Sequence, residues 1–185
     1  MPPIVASIFT QSPPHETAIK VAEAELALEE GCTELDMVIN IGKMIAGDTE
    51  YVKNEIRLLA DAAHAKGAIL KVILETCYLT DEQKVACCQL AEAAGADFVK
   101  TSTGYGSKGC TIDDLKLMRA AVSPHIRVKG SGGIRDLDTV LSARAVGASR
   151  CGVSATAKIM EEAEARYAAG TLCEVENLTE MSGGY

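Results

Sequence analysis

Asp97-Phe98-Val99-Lys100-Thr101-Ser102-Thr103-Gly104 and Ile126-Arg127-Val128-Lys129-Gly130-Ser131-Gly132-Gly133-Ile134 share one construction. Each is a short apolar run closed by a lysine, followed at once by a turn of glycine and hydroxyl residues. A lysine bound for solvent needs no such setting. At the carboxyl end of a buried strand it sits beside other strand ends in a partly dry site, where two ammonium groups disfavour each other's charge. That is how an amine becomes a nucleophile at neutral pH, and it points to Schiff-base chemistry on a carbonyl. An ordinary lysine, with a pKa near 10.4, is neutral in about one molecule in 2,500 at pH 7; lowering the pKa to about 7.5 makes about a quarter neutral, at a cost of about 4 kcal/mol.

Outward from these runs the chain repeats one alternation. Strand candidates are Ile4–Phe9, Glu34–Asn40, Ile69–Glu75, Phe98–Thr101, Ile126–Lys129 and Arg150–Gly152. Between them lie Ala/Glu/Lys/Leu-rich segments with apolar residues at helical spacing, such as Val21, Ala24 and Leu28, or Val52, Ile56, Leu59, Ala60 and Ala63. Thr80-Asp81-Glu82-Gln83 reads as a capping box. Gly31, Gly67, Gly95 and Gly147 stand where helices end, a few residues before the next strand. Regular β-α alternation predicts a parallel sheet covered by helices. Residues able to do chemistry recur at or near strand ends: Asp36, Asn40, Glu75, Lys100, Lys129 and Ser154. A (β/α)8 TIM barrel gathers such ends at one mouth, whereas an open sheet spreads them along a line. About six strands are visible, so the expected fold is a barrel of this type two units short of eight.

Composition bounds the function. The 185 residues are 48% hydrophobic with a net charge of −8, enough for one core and unsuited to general attraction to nucleic acid or acidic membrane. No apolar run approaches membrane-spanning length, and Met1-Pro2-Pro3 carries no secretory pattern. Seven cysteines without a Cys-x-x-Cys pair fit reduced thiols and a cytoplasmic location. Three histidines, His15, His64 and His125, lack ligand spacing. This disfavours a metal site, and Schiff-base chemistry on lysine calls for no cofactor.

Asp36 lies inside Leu35-Asp36-Met37-Val38-Ile39, where a carboxylate is costly unless paired. Two readings stand side by side: a structural ion pair with Lys71, and a proton shuttle to the two lysines. Glu34 and Glu75 read as rim residues. Gly132-Gly133 and Gly152-Val153-Ser154 each precede a helix, and helix N-termini bind anions. Together they make a phosphorylated substrate the favoured reading. Gly104-Tyr105-Gly106-Ser107 could line a third side, and Lys108 or Arg135 could add charge there, although each reads more readily as a solvated surface cation.

The stretches Glu34–Asn40, Leu70–Thr76, Phe98–Gly104 and Val128–Arg135 together resemble deoxyribose-phosphate aldolases, in order and over roughly Val5 to Ala168. The resemblance implies a metal-independent class I aldolase domain over residues 1–170, with 171–185 a flexible tail. It implies reversible cleavage of 2-deoxy-D-ribose 5-phosphate to acetaldehyde and D-glyceraldehyde 3-phosphate, in deoxynucleoside catabolism. By motif position Lys100 corresponds to the Schiff-base lysine, Lys129 to the second lysine that eases its deprotonation, and Asp36 to the acid/base residue. Gly104, Gly132, Gly133, Gly152 and Ser154 correspond to the phosphate grip. The chain departs from the family pattern where members carry two further N-terminal βα units, where they have Gly-Phe-Pro in place of the turn at Phe9–Pro13, and where many have a second serine at the position of Ala155. Some members carry a C-terminal tyrosine that folds toward the mouth, as Tyr185 could. The missing units predict exposed sheet edges, a mouth open to water and lowered activity, or closure by another chain in a homo-oligomer. Two other readings remain: a non-catalytic barrel kept as an interaction partner, and a lysine-dependent aldolase for another phosphosugar.

Overall fold

The computed structural model describes residues 3–8, 17–173, 175 and 177–181. Six strands form one parallel sheet in sequential order: β1 (Val5–Ile8), β2 (Glu34–Val38), β3 (Ile69–Ile73), β4 (Phe98–Lys100), β5 (Arg127–Ser131) and β6 (Ala148–Gly152). Helices alternate with them: α1 (Thr17–Glu29), α2 (Ile41–Ile45), α3 (Thr49–Ala65), α4 (Asp81–Ala93), α5 (Ile112–Ala121), α6 (Leu137–Ala145) and α7 (Thr156–Ala168). All six predicted strands form, with shifted ends. β2 stops at Val38 because Asn40 instead caps α2, its side chain accepting from Lys43 N–H. β5 runs two residues past Lys129, because Gly130 and Ser131 pair with Cys151 and Gly152 of β6. Lys129 therefore lies mid-strand, as does Asp36, rather than at the strand end.

The helices seal the outer face. In α3 the predicted stripe Val52, Ile56, Leu59, Ala60 and Ala63 is buried throughout, and in α1 Ala24 and Leu28 are buried. The capping box at Thr80 and Gln83 is formed in both directions. The four predicted helix-end glycines all have positive φ, between +70° and +99°, which a side chain would resist. The described tail touches the domain: Met181 packs into the core, and Thr179 N–H donates to Ser142 Oγ of α6 at 2.9 Å.

Register decides what fills the inner face. One row is Ser7, Asp36, Lys71, Phe98 and Arg127; the next is Val38, Ile73, Lys100, Lys129 and Arg150. The sheet curls toward closure, since Arg150 of β6 reaches Glu34 of β2 at 2.7 Å. The arc does not close: among the described residues β1 and β6 each pair on one side. Val5 on the β1 edge is 46% exposed. No helix among the described residues is long and apolar enough to cross a membrane.

Candidate active site

Period-two alternation turns Glu34, Asp36 and Val38 inward while Leu35 and Met37 pack against helices. Asp36 is 2% exposed and accepts from three lysines. Lys71 Nζ donates to Oδ1 at 2.6 Å; Lys100 Nζ and Lys129 Nζ share Oδ2 at 2.8 and 3.2 Å. Lys71 also meets Glu34 Oε2 at 2.8 Å, and Arg150 meets the same oxygen. Four cationic side chains thus face two carboxylates. The structural pairing with Lys71 and the contact with both Lys100 and Lys129 hold at once.

The charge imbalance is legible in the protonation equilibria. Burial pushes the Asp36 carboxyl up, but Lys100, Lys71 and Lys129 together outweigh it and hold it at about 2. Burial likewise opposes ionisation of Glu34, and Arg150 and Lys71 prevail, keeping it below the usual carboxylate range. Lys129 goes the other way. Burial lowers its pKa, the Asp36 contact only partly offsets this, and the positive charges of Lys100 and Lys71 add to the lowering.

Beyond the lysines the strand ends open into a cavity of about 470 Å³. Its wall includes Gly104, Gly132, Gly133, Gly152 and Ser154, the five residues read from sequence as an anion grip. Two loops are locked backbone to backbone to form it. Cys110 N–H donates to Ser131 O and Gly132 O, and a Cβ on Gly109 would fall 2.5 Å from the Gly132 carbonyl carbon. Side-chain caps serve the N-termini of α2 to α6, from Asn40, Asp48, Thr80, Thr111 and Asp136. The N-terminus of α7, at Ala155 beside this cavity, has no side-chain cap. No cap side chain competes for its first amides, which suits that helix start to an anion.

Residues 8–162 match the family described as DeoC/LacD family aldolase. The chain belongs to this aldolase family. It is 52% identical over 149 residues to the deoxyribose-phosphate aldolase of Rhodopirellula baltica, covering 80% of this chain and 62% of that one. It is 54% identical over 147 residues to that of Thermococcus kodakarensis, covering 80% and 66%. The chain thus spans a little under two thirds of the length of these curated relatives. Among solved structures, the aldolase QR15 superposes with a TM-score of 0.83 at 35% identity, covering 90% of this chain and 75% of that one. The tetrameric deoxyribose phosphate aldolase from Aeropyrum pernix gives 0.77 at 32% identity, covering 86% and 67%.

Within this aldolase-family chain several sequence readings need correction. Glu34 is no rim residue: it opens β2 at the amino end and is buried inside the arc. Glu75 is fully buried, its carboxylate taken up by Thr103. Of the Gly104–Ser107 turn, Gly104 borders the cavity; Gly106 packs on Glu75 and Cys77, and Tyr105 is 77% exposed. Arg135 is exposed, as expected, yet borders the cavity. Lys108 instead borders a larger concavity of about 700 Å³ between α4 and α5, where Lys84 is satisfied by Asp81 and Asp114. The turn at Phe9–Pro13 and Tyr185 lie outside the described residues. Sequence reasoning missed Thr103 and Ser131 as wall residues, although both stand in the hydroxyl-rich turns that marked the lysines.

Proposed function

We propose that this chain carries the lysine Schiff-base centre of a deoxyribose-phosphate aldolase, cleaving 2-deoxy-D-ribose 5-phosphate reversibly to acetaldehyde and D-glyceraldehyde 3-phosphate. One observation carries the reading: Lys100 and Lys129 share one oxygen of a buried Asp36, and the turns that follow the two lysines wall a glycine-rich cavity suited to phosphate. In this scheme neutral Lys129 takes a proton from Lys100 by way of Asp36. The freed Lys100 amine attacks the aldehyde carbon of the open-chain sugar to give a carbinolamine. Loss of water leaves an iminium, which draws in the electron pair as the C2–C3 bond breaks. The C3 hydroxyl proton passes to the Asp36–Lys129 pair, and glyceraldehyde 3-phosphate leaves. The remaining enamine is protonated at carbon, and water releases acetaldehyde and restores the amine. The phosphate rests on Gly104, Gly132, Gly133, Gly152, Ser154 and the uncapped start of α7.

The names of the relatives, their identity and the order of the motifs support the substrate. The free thiols of all seven cysteines support a cytosolic setting. The open edges of β1 and β6 favour a second reading, in which the arc is an interaction partner or is closed by another copy. Borohydride reduction in the presence of acetaldehyde separates these. A reduced adduct is expected on Lys100, and Lys100→Met should abolish it and cut turnover by more than about a thousandfold. An adduct on Lys129 alone would exchange the two roles, and no adduct on any lysine would leave the interaction reading.

A further inference from the structure

Glu75 combines two costly features. It is the one non-glycine residue with positive φ among the described residues, at +55°, and its carboxylate is fully buried. It follows β3 and turns toward the loop between β4 and α5. Thr103 N–H donates to Oε2 at 3.1 Å, and the Thr103 hydroxyl donates to the same oxygen. Tyr105 N–H donates back to Thr103 Oγ1 at 3.0 Å. A carboxylate can only accept, so the hydroxyl proton is committed to Glu75 and the hydroxyl lone pair to Tyr105. The next turn presses on the same group. A Cβ on Gly106 would lie 2.9 Å from both Glu75 Oε1 and Cys77 Sγ. Thr103 and Gly104, held in this way, are wall residues of the glycine cavity.

We propose that Glu75 is a positioning residue, latching the β4–α5 loop so that Thr103 and Gly104 keep the cavity shaped for phosphate. It acts through Thr103 and does not touch the substrate. This rests on reading the cavity as the phosphate site. Strain and burial concentrated at one residue that grips a binding wall are what such a role requires, because a loop free to shift would lose its alignment before the ligand arrived.

Titration calorimetry with inorganic phosphate, needing no chemistry, and borohydride trapping of acetaldehyde, needing no phosphate, test this separately. Glu75→Ala should weaken phosphate about tenfold and raise KM for deoxyribose 5-phosphate by a similar factor, with kcat within about twofold. Acetaldehyde trapping on Lys100 should proceed at the unaltered rate. Glu75→Gln, which keeps one accepting oxygen, should recover most of the affinity. Thr103→Val cuts the latch from the loop side, and the double variant should bind phosphate no worse than Glu75→Ala alone. Unchanged phosphate affinity in either single variant overturns the proposal, as does an equal loss of phosphate binding and acetaldehyde trapping. Should Glu75→Ala not fold, Thr103→Val decides. If the unaltered protein traps acetaldehyde but binds no phosphate, the cavity reading falls and the latch with it. If it binds phosphate but traps nothing, the aldolase reading falls while the titrations still judge the latch.

Discussion

Two buried ion clusters flank strand β2, one on each side, and they are built on opposite principles. Outside, Lys20 of α1 lies 2.9 Å from Glu55 of α3 and 2.9 Å from the Val38 carbonyl; both side chains are almost wholly buried. Inside, Asp36 takes three lysines on two oxygens. The outer pair matches one charge with one and ties α1 to α3 and the sheet. The inner cluster is short of negative charge, and burial together with the charges of Lys100 and Lys71 lowers the pKa of Lys129. A balanced pair belongs to architecture and an unbalanced one to chemistry.

The largest effect expected from breaking that contrast is on the outer pair. Lys20→Met should cost about 3–5 kcal/mol, because it strands a buried Glu55 carboxylate. Lys20→Met/Glu55→Leu should regain most of the loss in urea unfolding. A double variant as unstable as the single one would mean packing, not charge, holds this site.

The inner carboxyl gives a smaller, pH-dependent effect. Its folded pKa of about 2 lies below the ordinary value of 3.8. The native chain therefore binds fewer protons between these limits. The stabilisation, about 2 kcal/mol, is fully present above pH 4 to 5 and is lost as pH falls through 2. Unfolding curves at pH 5 and pH 3 should show this slope, and Asp36→Asn should flatten it. Equal acid sensitivity in that variant and the unaltered protein would contradict an ion-held carboxylate.

The smallest expected change sharpens the comparison most. Burial and neighbouring cations disfavour the Lys129 ammonium, so that residue costs stability at neutral pH. Lys129→Leu should leave stability unchanged or raise it by up to about 1 kcal/mol, while turnover falls. A fall in melting temperature as large as that of Lys20→Met would erase the distinction between the clusters.

How far these features can be read from the chain depends on their range. Lys100 and Lys129 stand out because strands alternate faces, and a charge in an apolar run signals a buried partner. Asp36 and Lys71 are legible for the same reason, and their pairing is between neighbours in register. Lys20 and Glu55 are not, because a lysine and a glutamate on amphipathic helices look like the solvated face. The Arg150–Glu34 contact joins residues 116 apart and exists only because the sheet curls. Glu75 reads as a rim residue because strand-end carboxylates commonly are; the loop that covers it comes from the following βα unit.

The alternation of strands and helices, the caps, the inward faces and the two lysines set in apolar runs were all written in the linear chain. These depend on hydrophobic period and local hydrogen bonding, which act over a few residues. Folding of the whole domain was needed to bring three lysines onto one carboxylate, to carry Arg150 across to Glu34, and to set Glu75 against Thr103. Those meetings depend on how sharply the sheet bends under its helices, and that curvature is a property of the packed whole.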